Sequence, residues 1–373
     1  MATTTLARHL SATIKGMKGS NRVGPWYNPH MAAASHAISE RISLVDLIVE
    51  VRDARIPLSS EYEILKSCSS SLKRIIVLNK MDLADRAELQ AWMKYFKETN
   101  CIAYGVNSHN KENIKQFLSF LQSQVRELKR TDLTSYTATI MLVGIPNVGK
   151  SALANSLHLT GRISAAEKGK LRRATVSPEP GETKDIRSFK IGSHPNIYVL
   201  DTPGVLPPEV PEIDTCSKLI LTGAIKDCMV CKKELARYFL AILNSGEQYK
   251  KWANLSNEDD DGSFRNGITE NISSSKLDMK QRRQSLADHT QDFIVQNVKR
   301  TLFETISSFD GDIRDGEELA VLMSKQFCSL QNTFNISTEC EGAHVKVAEK
   351  LLNLFRTGRL GHYTLDLVPR NLK

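Results

Sequence analysis

A glycine-rich loop that ends in a lysine and a hydroxyl limits what this chain can fold into more than any other feature. Residues 144–151 read Gly-Ile-Pro-Asn-Val-Gly-Lys-Ser and match the pattern G-x-x-x-x-G-K-[ST]. An apolar run typical of a strand, 137–144, precedes the loop, and a segment with helical character follows it. In that setting backbone N–H groups and a helix N-terminus surround phosphate oxygens, which predicts a nucleotide-binding α/β domain.

The residues of this loop fall into two predicted groups. Lys150 is expected to reach the β- and γ-phosphates and to act in catalysis, while the Ser151 hydroxyl is expected to ligate Mg²⁺. The other predicted nucleotide contacts in the loop and the first helical turn are Asn147, Val148, Gly149 and Ala152.

A second phosphate-site pattern, Asp201-Thr202-Pro203-Gly204, closes the apolar run 196–201. The Asp201 carboxylate can hold Mg²⁺, and the Gly204 amide can sense the γ-phosphate, which gives Gly204 a predicted catalytic role. Upstream of it, Thr183 in the segment Glu-Pro-Gly-Glu-Thr is the candidate for a second hydroxyl on the metal. The surrounding segment 162–190 is rich in Lys and Arg and is predicted to be a mobile loop that orders around γ-phosphate and Mg²⁺.

The segment Asn79-Lys80-Met81-Asp82 predicts which base is bound. A carboxylate at Asp82 can accept hydrogen bonds from guanine N1–H and from the exocyclic amine, a donor that adenine lacks. Asn79 is expected to brace the loop, and Lys80 to stack along the base. In an alternative reading, residues 79–82 are only a strand end before a helix that Asp82 or Asp85 caps.

A further base-contacting loop is expected where the next apolar run ends. The sequence there is Gly-Val-Asn-Ser-His-Asn, which makes Asn107 and Ser108 the candidates. This match to a base-contacting loop is loose, so the prediction depends mainly on its place after a strand.

The order of these motifs is rotated, because the guanine segment precedes the phosphate loop. The termini of a compact α/β domain lie close together, so joining them and opening the chain elsewhere preserves the sheet. The expected fold class is therefore α/β, a P-loop GTPase domain with a circularly permuted parallel sheet followed by a smaller all-α domain. Strands are predicted at 44–51, 74–79, 101–106, 137–144 and 196–201, and helices at 59–67, 85–98, 112–129, 217–245, 292–309, 316–330 and 343–356.

With Asp53-Ala54-Arg55 after the first strand, this order resembles the circularly permuted DAR-type GTPases. Within them the chain is most similar to the ribosome-biogenesis GTPase A group and its mitochondrial ribosome-associated members. The resemblance runs from about Trp26 to Pro369 and includes the C-terminal signature in residues 355–369. It implies a GTPase that assembles the large ribosomal subunit and binds rRNA through its helical domain.

The resemblance also implies roles for single residues. His30, in Trp-Tyr-Asn-Pro-His-Met, matches a histidine proposed to assist hydrolysis, although the Asn-Pro before it departs from the family pattern. Asn147 matches an asparagine that holds K⁺ in related GTPases. Val205 stands where Ras-like enzymes have a glutamine that orients water, which implies slow turnover completed by the ribosome. For Asp53 and Arg55 a structural ion pair is the expected reading.

The chain is expected to comprise three parts. Residues 1–24 contain Arg and Lys but no acid, which is typical of an organellar transit segment, with an ordinary basic arm as the alternative. The GTPase domain is expected at 25–208 and a helical RNA- or ribosome-binding domain at 213–373, with a polar, disordered insertion at about 254–288. A mitochondrial location is favoured, in the matrix or at the inner membrane, and the chloroplast is the alternative.

Charge and cysteine content limit the partners. A formal net charge of +8 and a pI near 9.0 favour an anionic partner such as rRNA. A monomer is expected. Two further readings are an RNA-binding scaffold with incidental hydrolysis and a translation regulator associated peripherally with a membrane.

Cys228 and Cys231 form a C-x-x-C, for which two positions on an apolar helix are a simpler reading than a metal or redox site.

Overall fold

The computed structural model describes most of the chain in two compact units. The described residues are 24–67, 73–130, 137–164, 185–193, 196–209, 212–256, 293–337 and 342–369, together with 174, 176, 181 and 183. The first unit extends to Val230 and also takes in the C-terminal segment from His362, while the second spans Cys231–Gly361. Residues 1–23 of the predicted transit segment, and the predicted insertion beyond residue 256, lie outside the described residues.

A six-stranded sheet forms the centre of the first unit. Its strand order is β3-β2-β1-β4-β6-β5, with every neighbouring pair parallel except β5 and β6. Because parallel strands point the same way, the loops that follow β1, β2, β4 and β6 meet at one edge of the sheet. The strands are β1 Leu47–Asp53, β2 Arg74–Asn79, β3 Ile102–Val106, β4 Thr137–Val143, β5 Arg187–Ser193 and β6 Asn196–Asp201.

In the part of this unit that the structure describes, five helices accompany the sheet, and polar caps set where several of them begin. Asp85 accepts hydrogen bonds from the backbone of Ala87 and Glu88 at the start of α2, while Asn28 and Asn110 cap α1 and α3. The helices are α1 Pro29–Ile42, α2 Arg86–Glu98, α3 Lys111–Lys129, α4 Lys150–Ser164 and α5 Ile213–Leu221.

The described part of the second unit is helical and contains no strand. Phe239 and Phe355 pack with ring centroids 4.6 Å apart in its core. The buried amides of Asn244 and Gln326 satisfy each other through hydrogen bonds of 3.1 and 2.8 Å. Its helices are α6 Lys232–Ser245, α7 at 293–307, α8 Gly316–Thr333 and α9 Ala343–Arg356, with a 3₁₀ segment at Gln248–Ser256.

The structure corrects several sequence-based boundaries. β1 ends at Asp53 rather than at 51, and the helix expected at 59–67 is a 3₁₀ turn, Glu63–Ser67. The predicted helix 217–245 is divided into α5, a 3₁₀ turn at Asp227–Met229, and α6. Helix α1 was not predicted. Part of the predicted loop 162–190 is strand β5. Its basic residues and its exposed edge position leave no clear apolar alternation in the sequence.

The two cysteines of the C-x-x-C do not lie on an apolar helix as expected. Cys228 is in the 3₁₀ turn Asp227–Met229, and Cys231 is the N-cap residue of α6. Both are exposed. Among the residues that the structure describes, no group of three or more His, Cys, Asp and Glu side chains is arranged to hold a metal ion.

The C-terminal segment and α5 pack against the rest of the first unit. The buried Asp366 carboxylate accepts hydrogen bonds from the Ser59 backbone and hydroxyl, at 2.7 Å each, and from the Lys218 ammonium of α5 at 3.0 Å. The predicted division between 208 and 213 therefore falls inside this unit. No helix in the described ranges is long and apolar enough to cross a membrane.

Candidate nucleotide-binding site

The guanine segment and the glycine-rich loop meet at the carboxyl edge of the sheet. The Asn79 side-chain amide donates a 2.8 Å hydrogen bond to the Val148 carbonyl. Gly149, with φ at 93°, lies so close that a Cβ there would be 2.3 Å from Asn79 Nδ2. The strand order thus brings the two rotated motifs into direct contact.

The end of the guanine segment leaves one carboxylate available. Asp82 is exposed, and no described residue donates a hydrogen bond to its side chain. The helix cap considered as the alternative reading exists, but Asp85 supplies it. Asp82 is therefore free to accept hydrogen bonds from a base edge.

Lys80 lies between the guanine segment and the phosphate loop. Its backbone is left-handed, with φ at 59°, which is uncommon for a residue with a side chain. Its ammonium donates to the Asn147 carbonyl at 2.6 Å and lies 3.0 Å from Asp53 Oδ2. These contacts hold the Lys80 ammonium between the Asp53 carboxylate and the Asn147 carbonyl.

The loop after β3 supports Asn79. The Ser108 hydroxyl is buried and donates a 2.8 Å hydrogen bond to Asn79 Oδ1. The Asn107 side chain instead accepts a hydrogen bond from the His109 backbone within its own turn. Met81 is half-buried against the cluster around Trp92. Of these residues, Ser108 has the clearest structural role.

The glycine-rich loop follows β4 and leads into α4. A Cβ on Gly144 would be 2.4 Å from the Val51 carbonyl, so only glycine fits there. The Lys150 ammonium donates to the carbonyls of Gly144 and Ile145 at 3.0 and 2.8 Å. Burial lowers the pKa of Lys150 to about 8, although the Asp201 charge opposes the shift. An anionic phosphate would restore the favoured charged form.

Three predicted metal ligands converge beside this lysine. Ser151 Oγ and Thr183 Oγ1 are 2.9 Å apart. Asp201 is fully buried, and neither carboxylate oxygen has a hydrogen-bond partner in the described structure. Burial raises the pKa of Asp201, and the nearby Ser151, Lys150 and Arg187 offset this only in part. A buried carboxylate with two adjacent hydroxyls fits a hard divalent cation such as Mg²⁺.

The residues after Asp201 pack closely on the glycine-rich loop. A Cβ on Gly204 would be 2.5 Å from Pro146 Cα, so the two backbones touch. Val205 is buried in a cluster with Ile38 and Ile42 of α1. Its side chain is part of the core.

His30 is separate from these contacts. It is exposed near the start of α1, and no hydrogen bond or ion pair among the described residues involves it. Its neighbours Tyr27 and Met31 pack against the cluster that contains Val205. His30 therefore lies on a helix that packs against Val205, the residue after Gly204.

The Asp-Ala-Arg segment contacts the guanine segment directly, and the sequence did not predict this contact. Arg55 donates from Nε to Asp53 Oδ1 at 2.9 Å and from Nη2 to Oδ2 at 2.8 Å. The Ala54 amide donates to the Asn79 carbonyl at 2.8 Å. The only sequence signal was position, because Asp53 ends the strand that neighbours β2.

The turn after α5 also touches the site and was not predicted. Asn147 Nδ2 donates to the Gly223 carbonyl at 3.2 Å, and Arg55 Nη2 donates to the Thr222 carbonyl at 3.4 Å. No short-range sequence pattern could have indicated these contacts. In each of them a side chain donates to the backbone carbonyl of a residue that is far away in the sequence.

The chain is similar to several known proteins over much of its length. It is 57% identical over 368 residues to DAR GTPase 2, mitochondrial, of Arabidopsis thaliana, covering 97% of this chain and 95% of that protein. Short integuments 2, mitochondrial, of the same plant is 40% identical, with 95% and 93% covered. Ribosome biogenesis GTPase A of Priestia megaterium is 35% identical, with 62% and 78% covered. A family model described as "50S ribosome-binding GTPase" matches residues 139–258.

Proposed function

This chain belongs to the DAR GTPase family, and on that premise we propose that it is a mitochondrial GTPase that promotes assembly of the large ribosomal subunit. It hydrolyses GTP to GDP and phosphate. The contact of Asn79 with Val148 carries the proposal, since it joins the predicted guanine-reading segment directly to the predicted phosphate-binding loop. The relative named ribosome biogenesis GTPase A supports the ribosomal role.

We propose that different site residues bind the base, the phosphates and Mg²⁺. Asp82 selects guanine, and Lys150 holds the β- and γ-phosphates. Ser151, Thr183 and Asp201 would hold Mg²⁺, which when bound neutralises charge on the phosphate oxygens. The Gly204 amide senses the γ-phosphate, so that GTP and GDP favour different positions of the segment after Asp201.

Hydrolysis by the isolated protein is proposed to be slow. Val205 has no group that could orient a water molecule by hydrogen bonding, and it is buried in the core. The ribosome would complete the site. His30 is a candidate to assist, since its helix packs beside Val205, and K⁺ held at Asn147 is a second candidate.

The second, helical unit is proposed to contact rRNA. The chain as a whole carries a net charge of +8, which favours a phosphate-rich partner but does not assign it to this unit, since residues 231–361 hold 18 Lys and Arg against 19 Asp and Glu. We place the protein in the mitochondrial matrix as a monomer, with any contact to the inner membrane peripheral. GTP favours docking on the subunit, and hydrolysis releases the protein.

GTP turnover with and without purified mitochondrial large ribosomal subunits tests the proposal. Turnover is expected to rise many-fold with subunits, and cosedimentation is expected to be stronger with a GTP analogue than with GDP. Lys150→Ala should lose GTP binding, whereas Lys94→Ala, on the exposed face of α2, should behave as wild type. Unchanged turnover at moderate salt would contradict the ribosomal role.

A further inference from the structure

We propose that Asp53 is a positioning residue for guanine-nucleotide binding and that it acts through Lys80. This inference rests on the proposed guanine site and deepens it, since it gives the first residue of the Asp-Ala-Arg segment a role in affinity. Asp53 is itself only 2% exposed, so any effect on a bound nucleotide passes through its neighbours.

The strained conformation of Lys80 is the first step of the argument. A left-handed backbone is strained for a residue with a side chain and persists only where surrounding contacts hold it. Asp53 Oδ2, 3.0 Å from the Lys80 ammonium, is one of those contacts, and the Asn147 carbonyl at 2.6 Å is another. The lysine is therefore held between the carboxylate and the phosphate loop.

The second step concerns how firmly Asp53 is held. Arg55 donates to both of its oxygens through the guanidinium, and the Arg55 amide donates to Oδ1 at 3.0 Å. Burial alone raises the pKa of Asp53, but the charges of Arg55 and Lys80 and the hydrogen bonds from Arg55 outweigh burial and hold that pKa far below its usual value. Asp53 thus presents a fixed negative charge to Lys80.

A second buried carboxylate on the same strand provides the contrast. Glu50 is fully buried and accepts hydrogen bonds from Arg52 Nε at 2.8 Å, Arg74 Nε at 2.7 Å and the Tyr62 amide at 2.8 Å. None of these partners belongs to the guanine segment or the phosphate loop. Glu50 and Asp53 therefore share burial and an arginine partner, but only Asp53 contacts a residue of the candidate site.

The expected consequence is specific. Without the Asp53 carboxylate, Lys80 loses a charged acceptor, and the side chain that is predicted to stack along the base is held less firmly. A charge-assisted contact of this kind corresponds to roughly tenfold in affinity. Once nucleotide saturates the site, the residues around the γ-phosphate are unchanged, so kcat should stay within about twofold of wild type.

The test is a double-mutant cycle read out by GDP affinity, with kcat and thermal stability measured on the same preparations. Asp53→Asn should weaken GDP binding about tenfold in the otherwise wild-type protein. In a Lys80→Ala background the same change should cause almost no further loss. Glu50→Gln, the matched control, should lower the melting temperature comparably but leave GDP affinity unchanged.

Several results would overturn the proposal. These are an unchanged GDP affinity in Asp53→Asn, an equal loss in the Lys80→Ala background, or an equal loss in Glu50→Gln. If Asp53→Asn does not fold because Arg55 is left unpaired, Asp53→Asn is compared with its parent in Arg55→Gln with Lys80 kept, where Asp53 retains its Lys80 partner and the substitution leaves no buried arginine at position 55 unpaired. Failure of the wild-type protein to bind GDP would instead remove the proposed function, and this inference with it.

Discussion

The side-chain amide of Asn79 donates a hydrogen bond of 2.8 Å to the backbone carbonyl of Val148, a residue 69 positions later in the chain. One residue ends β2, and the other lies in the loop after β4. The strands that carry them are separated in the sheet only by β1. A rotated chain order therefore preserves the pocket, because sheet neighbours and not sequence neighbours determine which loops meet.

Gly149→Ala should disrupt this contact. The new Cβ would lie 2.3 Å from Asn79 Nδ2, and the backbone there has a φ of 93°. Asn79 or the loop must move, and we expect GDP affinity to fall by roughly a hundredfold, equivalent to about 2.7 kcal/mol. Isothermal titration calorimetry measures the change.

Gly342→Ala is the matched control for backbone strain. Gly342 has a φ of 77°, and a Cβ there would meet no atom of a described residue within 4 Å. It should lose some stability but bind GDP as wild type does. If both variants bind GDP equally well, the close approach of Gly149 to Asn79 is not needed for the site.

Asp201→Asn should change stability and binding in opposite directions. The carboxylate is buried and accepts no hydrogen bond from a described residue, so replacing it with a neutral amide removes a desolvation cost. The nucleotide-free protein should melt a few degrees higher. The same variant should lose the dependence of GTP affinity on Mg²⁺. A variant that melts lower and keeps its Mg²⁺ dependence would rule out Asp201 as a metal ligand.

Lys150 predicts a pH dependence of nucleotide binding. Its pKa is lowered to about 8 in the nucleotide-free protein, and the charged form is the one that phosphates favour. As pH rises through 8 the free protein loses this proton, so GDP binding must take one up. Affinity should therefore fall by up to about tenfold per pH unit above 8.

Lys150→Arg provides the reference for this titration, because a guanidinium remains charged throughout the range. The ratio of the two affinities at each pH removes the titration of GDP itself. A ratio that is constant between pH 7 and 9.5 would show that Lys150 does not titrate there.

The C-terminal segment should be required for the stability of the first unit. Asp366 is 3% exposed and accepts hydrogen bonds from Leu58, Ser59 and Lys218. Asp366→Ala leaves the Leu58 and Ser59 donors unpaired, while Lys218 keeps its 2.6 Å ion pair with Asp214, and should lower the free energy of unfolding by about 3 kcal/mol. Glu349→Ala breaks a half-exposed ion pair with Lys232 and should cost less than about 1 kcal/mol. Equal effects in denaturant titrations would contradict this role of Asp366.

The parts of the fold that were predictable are those with local signals. Strand β2 has the predicted bounds 74–79, and α9 has the predicted bounds 343–356, because each combines a clear apolar pattern with clear ends. The glycine-rich loop was predictable because its backbone has positive φ angles and close contacts that only glycine allows at Gly144 and Gly149. Strand β5 was not, since its edge position leaves only one face partly buried.

The remaining features depend on contacts between distant residues. The ion pair of Asp53 with Lys80 joins the ends of two neighbouring strands, and nothing local to either residue indicates it. The same is true of Asp366, which binds residues 307 and 148 positions away. Such partners become visible only when the sheet order and the path of the C-terminal segment are known.

The most direct test of the guanine pocket is competition between guanosine and xanthosine diphosphates for Asp82→Asn. Asp82 is exposed and accepts no hydrogen bond from a described residue, so the change should leave stability within about 0.5 kcal/mol of wild type. An asparagine amide can donate to the second carbonyl of xanthine, where the carboxylate accepted from the guanine amine. We predict that the variant loses its preference for GDP and binds the xanthosine nucleotide more tightly; an unchanged preference for GDP would contradict the account.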